Sequence, residues 1–266
     1  MTHDQSTDLQ NRLDFAIKAA KASSKITLEY FQNPDLSADH KADGSPVTIA
    51  DRATETDLRK RIIERYPDDS ILGEELDDRD GTTGYQWIID PIDGTISFVH
   101  GIPLYGTMLA CLKDDQPILG VITMPALNSE TIYAARGLGA FHQIDDEPPT
   151  RAHTTSTSNL ADAMVSSTSM AYYETPEQRS IYTDLLDAAH DLRGWPDCYA
   201  IVLLVTARID AVVEPYMMIW DIAAPSIIIE EAGGDWTAFS GVKSLAEGTM
   251  IATNGQLHEQ IIRIVR

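Results

Sequence analysis

Cysteine, basic charge, aromatic side chains and long apolar runs are all scarce in this chain of 266 residues. Two cysteines, Cys111 and Cys198, each among apolar neighbours, cannot build the disulfide framework of a secreted domain and point to a reducing cytoplasm. The longest apolar runs, IVLLV and SIIIE, fall far short of the roughly 20 residues that a membrane span needs. The opening MTHDQSTDLQNR lacks the basic-then-apolar order of a signal peptide, so a cytoplasmic protein that is free of the membrane is expected. With 20 basic against 41 acidic residues the net charge is −21, which repels nucleic acid and anionic lipid and argues against either as a partner.

Several catalytic signatures are missing too. No GxSxG elbow occurs, which argues against a serine hydrolase. RGLGAF lacks the third glycine and following helix of a dinucleotide site and reads as a hairpin turn. None of the seven histidines has a partner at metal-ligand spacing, and His100 is expected to be structural. A haloacid-dehalogenase-type phosphatase would need aspartates two apart on an early strand, whereas Asp90 and Asp93 are three apart and far along the chain.

What is present begins with helical periodicity over Leu9 to Phe31 (Leu9, Leu13, Ala16, Ile17, Ala20, Leu28), stopped by Asn33-Pro34, and again over Thr54 to Tyr66. SILGEE and YQWIID read as strands, LYGTMLACLK and PILGVITMP as an antiparallel hairpin, and TIYAARGLGAFHQ as strand, turn and strand. The polar stretch from Ile144 to Asn159 reads as a linker or crossing loop. Beyond it AMVSS, the helix around Tyr182 to Ala189, CYAIVLLVTAR, IDAVVEP, DIAAPSIIIEEA and GTMIAT alternate as strand and helix. An α+β half over 1–145 with an antiparallel sheet, joined to an α/β half over 146–266, is the expected organisation.

Five acidic residues fall at element ends: Asp51 after PVTIA, Glu74 after SILG, Asp90 and Asp93 after WII, and Asp221 after Trp220. Grouped carboxylates repel unless a cation neutralises them, and oxygen ligands without histidine or thiolate suit magnesium better than zinc. Pro91-Ile92 turns the backbone between two aspartates spaced three apart and can offer a carbonyl of its own. If a helix starts after Asp93, the amides at Gly94 and Thr95 form a place for a phosphate. Plainer roles stand beside these. Asp221 suits a helix cap, a role compatible with metal binding, and Asp51 suits the first turn of a helix. Glu75, Asp77, Asp78 and Asp80 read as a solvated loop, Lys41 as a contact to phosphate or solvent, and Trp195, Tyr199 and Trp220 as packing residues.

The run GSPVTIAD, then GEE, then WIIDPIDGT with FVHG, and finally WDIAAPSIIIEEAGG, resembles in order and spacing the signatures of the inositol monophosphatase family of magnesium-dependent, lithium-sensitive phosphatases. The resemblance covers nearly the whole chain. It implies the layered αβαβα sandwich of the inositol monophosphatase and fructose-1,6-bisphosphatase type. It also implies two to three magnesium ions, lithium inhibition and a homodimer. By this resemblance Glu74, Asp90 and the Ile92 carbonyl bind one metal, Asp90, Asp93 and Asp221 a second, and Glu74 shares a weaker third. Catalysis would fall to Glu74 and Thr95, which activate water, with Asp51 behind Thr95.

RGWPDCYAIVLLVTARIDAVVEP and SFVHGIPLYGTMLA look like the histidinol-phosphate phosphatase branch, whereas Ile96-Ser97 stands where inositol phosphatases usually carry Thr-Asn. That branch often has a basic residue at the place of Ile96 and a glycine at the place of Pro196. Asp197 and Glu214 are the expected acceptors for the cationic end of such a substrate. Hydrolysis of histidinol phosphate is therefore the leading expectation, an inositol-phosphate or broad sugar or nucleotide phosphatase the alternative. Outside that class stand a non-catalytic metal-binding protein, against which the Thr95–Asp51 pair favours catalysis, and an oligomer held by a structural acidic cluster, which metal-dependent assembly without phosphate release would support.

Overall fold

The computed structural model describes residues 3–40 and 46–266, so Lys41 and the Gly44-Ser45 start of the first motif lie outside the described residues. The chain opens with α1 (His3–Leu28), a small hairpin of β1 (Asp39–His40) and β2 (Pro46–Val47), and α2 (Ile49–Arg65). Then come β3 (Ser70–Gly73), β4 (Tyr85–Asp93) and a single turn, α3 (Thr95–Val99). The meander β5 (Gly106–Lys113), β6 (Gln116–Met124), β7 (Glu130–Ala135), β8 (Gly139–Gln143) and β9 (Thr150–Arg151) completes a seven-stranded sheet in the order β3-β4-β5-β6-β7-β8-β9.

This sheet is antiparallel from β4 onward, but β3 lies parallel to β4, a departure from the wholly antiparallel sheet expected. The chain between β3 and β4 crosses back to the starting edge instead of turning tightly, as a parallel pairing requires. Its last strand, β9, falls inside the polar stretch expected to be a crossing loop, where Phe141 pairs with Arg151.

The remainder runs β10 (Met164–Ser166), α4 (Pro176–Ala188), β11 (Asp191–Arg193), α5 (Asp197–Val205), β12 (Ala211–Glu214), α6 (Ile219–Glu231), β13 (Asp235–Thr237), β14 (Met250–Thr253) and α7 (His258–Val265). Its five strands order as β11-β10-β12-β14-β13, parallel on the β11-β10-β12 side and antiparallel on the other.

Strand alternation sorts the side chains into layers. On β4, Trp87 and Ile89 join Leu9, Leu13 and Ala16 of α1 and Leu58 and Ile62 of α2, while Ile88 points the other way into a core shared with α5 and α6. On β12 the same parity sends Val212 toward α5 and α6 and sends Ala211 and Val213 toward Ile181 and Leu185 of α4 and Ile261 of α7. The result is helix, sheet, helix, sheet, helix: the layered αβαβα sandwich. It also explains the two longest apolar runs. IVLLV lies in α5 and SIIIE in α6, and a helix covered on both sides by sheets is apolar all round.

Close approach of α6 to the large sheet depends on Gly120 of β6, where a Cβ would sit 2.5 Å from the Ala224 carbonyl oxygen and 2.9 Å from its Cα. Backbone cannot swing aside as a side chain can. Gly120→Ala is expected to lower stability by about 1–3 kcal/mol through overpacking, read as a lower urea midpoint with an unchanged slope; an unchanged midpoint would show that α6 is free to shift.

Candidate active site

The register of the large sheet brings the first three acids together. Gly73 pairs with Ile89 across the parallel β3-β4 ladder and the Glu74 amide donates to the Ile89 carbonyl (3.2 Å), so Glu74 leaves β3 beside Asp90. On a regular strand Asp90 and Asp93, an odd number of residues apart, would face opposite sides. Asp90 pairs with Met108 and Asp93 with Gly106, so β4 spends one residue more than β5 over this interval. That bulge reverses the parity and turns both carboxylates to one side. Pro91 has no N–H to leave unpaired, and its carbonyl accepts from the Thr107 hydroxyl (2.8 Å).

Asp221 arrives from a distant segment as the third residue of α6. One of its oxygens accepts from the Met218 amide (2.6 Å), so it does serve as the helix's N-terminal acceptor, and the other is left for the cluster. Among the described residues Asp90, Asp93 and Asp221 form a group in which one carboxylate oxygen from each lies within 4.8 Å of the others. Asp90 is buried, and its Oδ1 has no hydrogen-bond partner. A buried, unpaired carboxylate oxygen facing two more carboxylates fits a hard divalent cation.

The electrostatics agree. Burial pushes the Asp90 carboxyl well above the usual range, and the charges of Glu74, Asp93 and Asp221 push it further. Asp93 is raised by burial and by Asp197 and Asp221, although the Cys198 amide donates to it. Asp221 is raised to about 7, first by burial and then by Glu74 against the helping Met218 amide. No lysine, arginine or histidine among the described residues pairs with Asp90, Asp93 or Asp221 to relieve this.

Asp51 sits at the third position of α2 and closes a capping box, its Oδ2 accepting from the Thr48 amide (2.8 Å) and hydroxyl (2.6 Å). Its Oδ1 is buried without a partner, and burial raises the carboxyl to about 6. The Thr95 hydroxyl donates to the Ile92 carbonyl (3.0 Å), so the expected Thr95–Asp51 contact is not made. Gly94 adopts φ +86°, open to glycine at little cost, and leads into α3. With five residues, α3 supplies the free amides of one turn and little of the dipole expected of a longer helix.

Asp197 meets this turn from α5. A Cβ on Gly94 would fall 2.9 Å from its Oδ2, and Asp197 itself takes φ +54°, a left-handed conformation that Asp tolerates better than most residues. Burial raises it to about 6. Glu214, at the end of β12, accepts at one oxygen from the Thr168 amide and hydroxyl (both 2.8 Å), and burial outweighs these bonds and lifts it to about 8. The sequence thus named these acids.

It did not name their supports. Glu55 of α2, buried, pairs with Arg59 (2.7 Å) and accepts from the Glu75 amide (2.8 Å), while Arg59 donates to the Leu76 and Asp77 carbonyls, clamping the loop that carries Glu74. Only the four-residue Glu-Arg spacing could have flagged this. Thr168 carries no sequence signal at all. Most of the plainer assignments hold: Asp77, Asp78 and Asp80 are exposed, and Trp195, Tyr199 and Trp220 pack against the central core. Glu75, expected in the same solvated loop, is instead half-buried, and its charge helps to raise the Asp51 carboxyl. His100 bonds the Ile96 carbonyl of its own turn. No helix among the described residues is long and apolar enough to cross a membrane.

Raised carboxyls make folding pH-dependent. The folded state holds protons that the unfolded chain has already lost between about pH 4 and pH 8, so stability falls as pH rises through that window and the penalty persists above it. With a chelator present the melting temperature is expected to drop between pH 5 and pH 8, and magnesium should flatten the drop. Identical profiles with and without magnesium would argue against a cation at the cluster.

Comparison with known proteins places this geometry. A histidinol-phosphatase of Mycobacterium tuberculosis is 37% identical over 98% of both chains. One from Chlorobaculum parvum is 37% identical over 95% of this chain and 96% of its own. The solved structure of a Thermotoga maritima IMPase superposes with a TM-score of 0.84 at 30% identity, covering 96% of each chain. The model of the inositol monophosphatase family matches residues 8–266, and the chain belongs to that family.

Proposed function

We propose that this protein hydrolyses a small phosphate monoester with magnesium, and that the substrate is histidinol phosphate, cleaved to histidinol and phosphate in a biosynthetic route to histidine. One observation carries the hydrolytic part: carboxylates from β4 and α6 converge within 4.8 Å, with the buried Asp90 Oδ1 unpaired. Asp90, Asp93 and Asp221, joined by Glu74 and the Ile92 carbonyl, would hold two to three magnesium ions. When bound, such ions lower the pKa of water, polarise the phosphoryl group and neutralise the departing alkoxide.

The chain's own residues do the rest. The Gly94 and Thr95 amides hold phosphate oxygens in line with the attacking water. Glu74 takes the water's proton; for Thr95 to relay one, its hydroxyl must leave the Ile92 carbonyl (3.0 Å) and turn to the buried, unpaired Oδ1 of Asp51. Residues 1–145 supply most of the metal site, and residues 146–266 supply Asp221 and the substrate pocket. Lithium inhibition, a homodimer and a cytoplasmic location belong to the same proposal.

The substrate rests on Asp197 and Glu214. Neither pairs with a lysine, arginine or histidine among the described residues, and both lie by the metal cluster, Asp197 acting on Asp93 and on Glu214. An alcohol bearing an ammonium and an imidazole satisfies these carboxylates, whereas inositol brings only hydroxyls. The full-length match to histidinol-phosphatases supports the same choice.

Phosphate release from histidinol phosphate, inositol phosphate, fructose bisphosphate and phosphoadenosine phosphate, measured side by side with magnesium, tests the proposal. Histidinol phosphate should show the highest kcat/KM; a preference for another substrate would overturn the assignment. Asp93→Asn should cut kcat by about a hundredfold or more. Asp197→Asn should raise KM for histidinol phosphate about tenfold with kcat little changed, as expected for a lost charge contact to bound substrate. An unchanged KM would remove Asp197 from the pocket.

A further inference from the structure

Two tyrosines stand exposed near Glu214 and Asp197 with no structural task in view. Tyr172 ends a short 3-10 turn (Met170–Tyr172) that follows Thr168, the residue whose amide and hydroxyl hold Glu214. Tyr216 lies two residues beyond Glu214. Their segments are thus tied together through the Thr168–Glu214 contact, and their rings lie nearly parallel, 14° apart in plane with centroids separated by 6.4 Å.

Both rings remain in reach of solvent, 36% exposed for Tyr172 and 56% for Tyr216. The neighbouring Tyr173 shows what a structural tyrosine does in this segment: it is wholly buried, its hydroxyl bonded to Ser167 (2.9 Å) and directed at the Val213 carbonyl (3.3 Å). Tyr173 anchors the turn. Tyr172 has no such anchor, and its hydroxyl feels the carboxylates: burial raises its pKa, followed by the charges of Asp197, Glu214 and Asp93. Parallel aromatic faces next to ionisable carboxylates with no protein cation suit one ligand chemistry, a flat ring that carries positive charge.

We infer that Tyr172 and Tyr216 form the wall on which the ring of a cationic, aromatic alcohol stacks, so that they select an imidazole-bearing phosphate monoester over a polyol phosphate. This rests on the hydrolase function proposed above. The phosphate lies toward Gly94 and the metal cluster, the ammonium toward Asp197 and Glu214, and the ring on the tyrosines. A polyol phosphate shares the first contact and gains nothing from the rings, because its hydroxyls are as well satisfied by water.

The test compares wild type, Tyr172→Leu, Tyr216→Leu, the double Leu variant and the two Phe variants, all with magnesium and all checked for an unaltered melting temperature. KM is measured for histidinol phosphate and for inositol phosphate, and inhibition is measured with free histidinol and with inorganic phosphate. The double Leu variant should raise KM for histidinol phosphate on the order of tenfold, from two lost ring–cation contacts. The rise should be about twofold or less for inositol phosphate. Histidinol should inhibit more weakly in proportion while inorganic phosphate inhibits as before, and the Phe variants, which keep the ring, should keep the wild-type KM.

Equal KM values in wild type and the double Leu variant would overturn the inference and leave the hydrolase proposal standing. So would an equal rise for both substrates. A wild-type enzyme that cleaves inositol phosphate but not histidinol phosphate would instead overturn the substrate proposal, and the tyrosine wall with it.

Discussion

Carboxylates crowded together with little solvent repel one another, and this site keeps Asp90, Asp93 and Asp221 close enough for one oxygen of each to meet within 4.8 Å. Everything nearby is arranged to withstand that repulsion. Such a cluster is destabilising until a cation or protons neutralise it, so it persists only where the surrounding backbone is held by a large and well-packed core. The five-layer sandwich supplies that core. β4, which carries two of the acids, has α1 and α2 on one face and α5 and α6 on the other, so it cannot yield.

Local devices aim the ligands within that frame. The bulge at Pro91-Ile92 turns Asp90 and Asp93 to one side, and the parallel β3-β4 pairing brings Glu74 alongside. Asp221 is both helix-terminal acceptor and member of the cluster, so the hydrogen bond that orients it also leaves its second oxygen pointing at the other acids. Pro225, four residues on, cannot donate to the Asp221 carbonyl, so α6 lacks that one helical bond. Glu55 and Arg59 hold the loop that bears Glu74 from behind. Rigidity is built around the acidic cluster, while the proposed substrate side consists of Asp197, Glu214 and two exposed tyrosines.

That division matches the chemistry. Phosphoryl transfer asks the protein mainly to fix charges and distances, which rigid strand ends and helix starts do well. Discrimination between alcohols asks for surfaces that meet different leaving groups, a role proposed here for the turn after β10 and the segment after β12. A family that shares one metal centre can thus change substrates by altering residues that never touch the phosphate.

Much of this was legible in the sequence by itself. Alternating and helical apolar patterns fixed most elements, and the order GEE, DPIDGT, WD pointed to the acids, because short motifs report local turns and ligand types directly. IVLLV and SIIIE read as parts of helices, and only the packing of α5 and α6 between sheets explains why they are apolar all round. Tertiary structure decided the rest. The parity of Asp90 and Asp93 depends on how many residues β5 spends opposite them, the Thr95 hydroxyl turned to Ile92 instead of Asp51, and β9 formed because the large sheet offered an edge to a polar segment. Tyr172 and Tyr216, 44 residues apart, became neighbours only through Thr168 and Glu214. Contacts between distant segments are set by how layers pack, and no local pattern in a single chain encodes that distance.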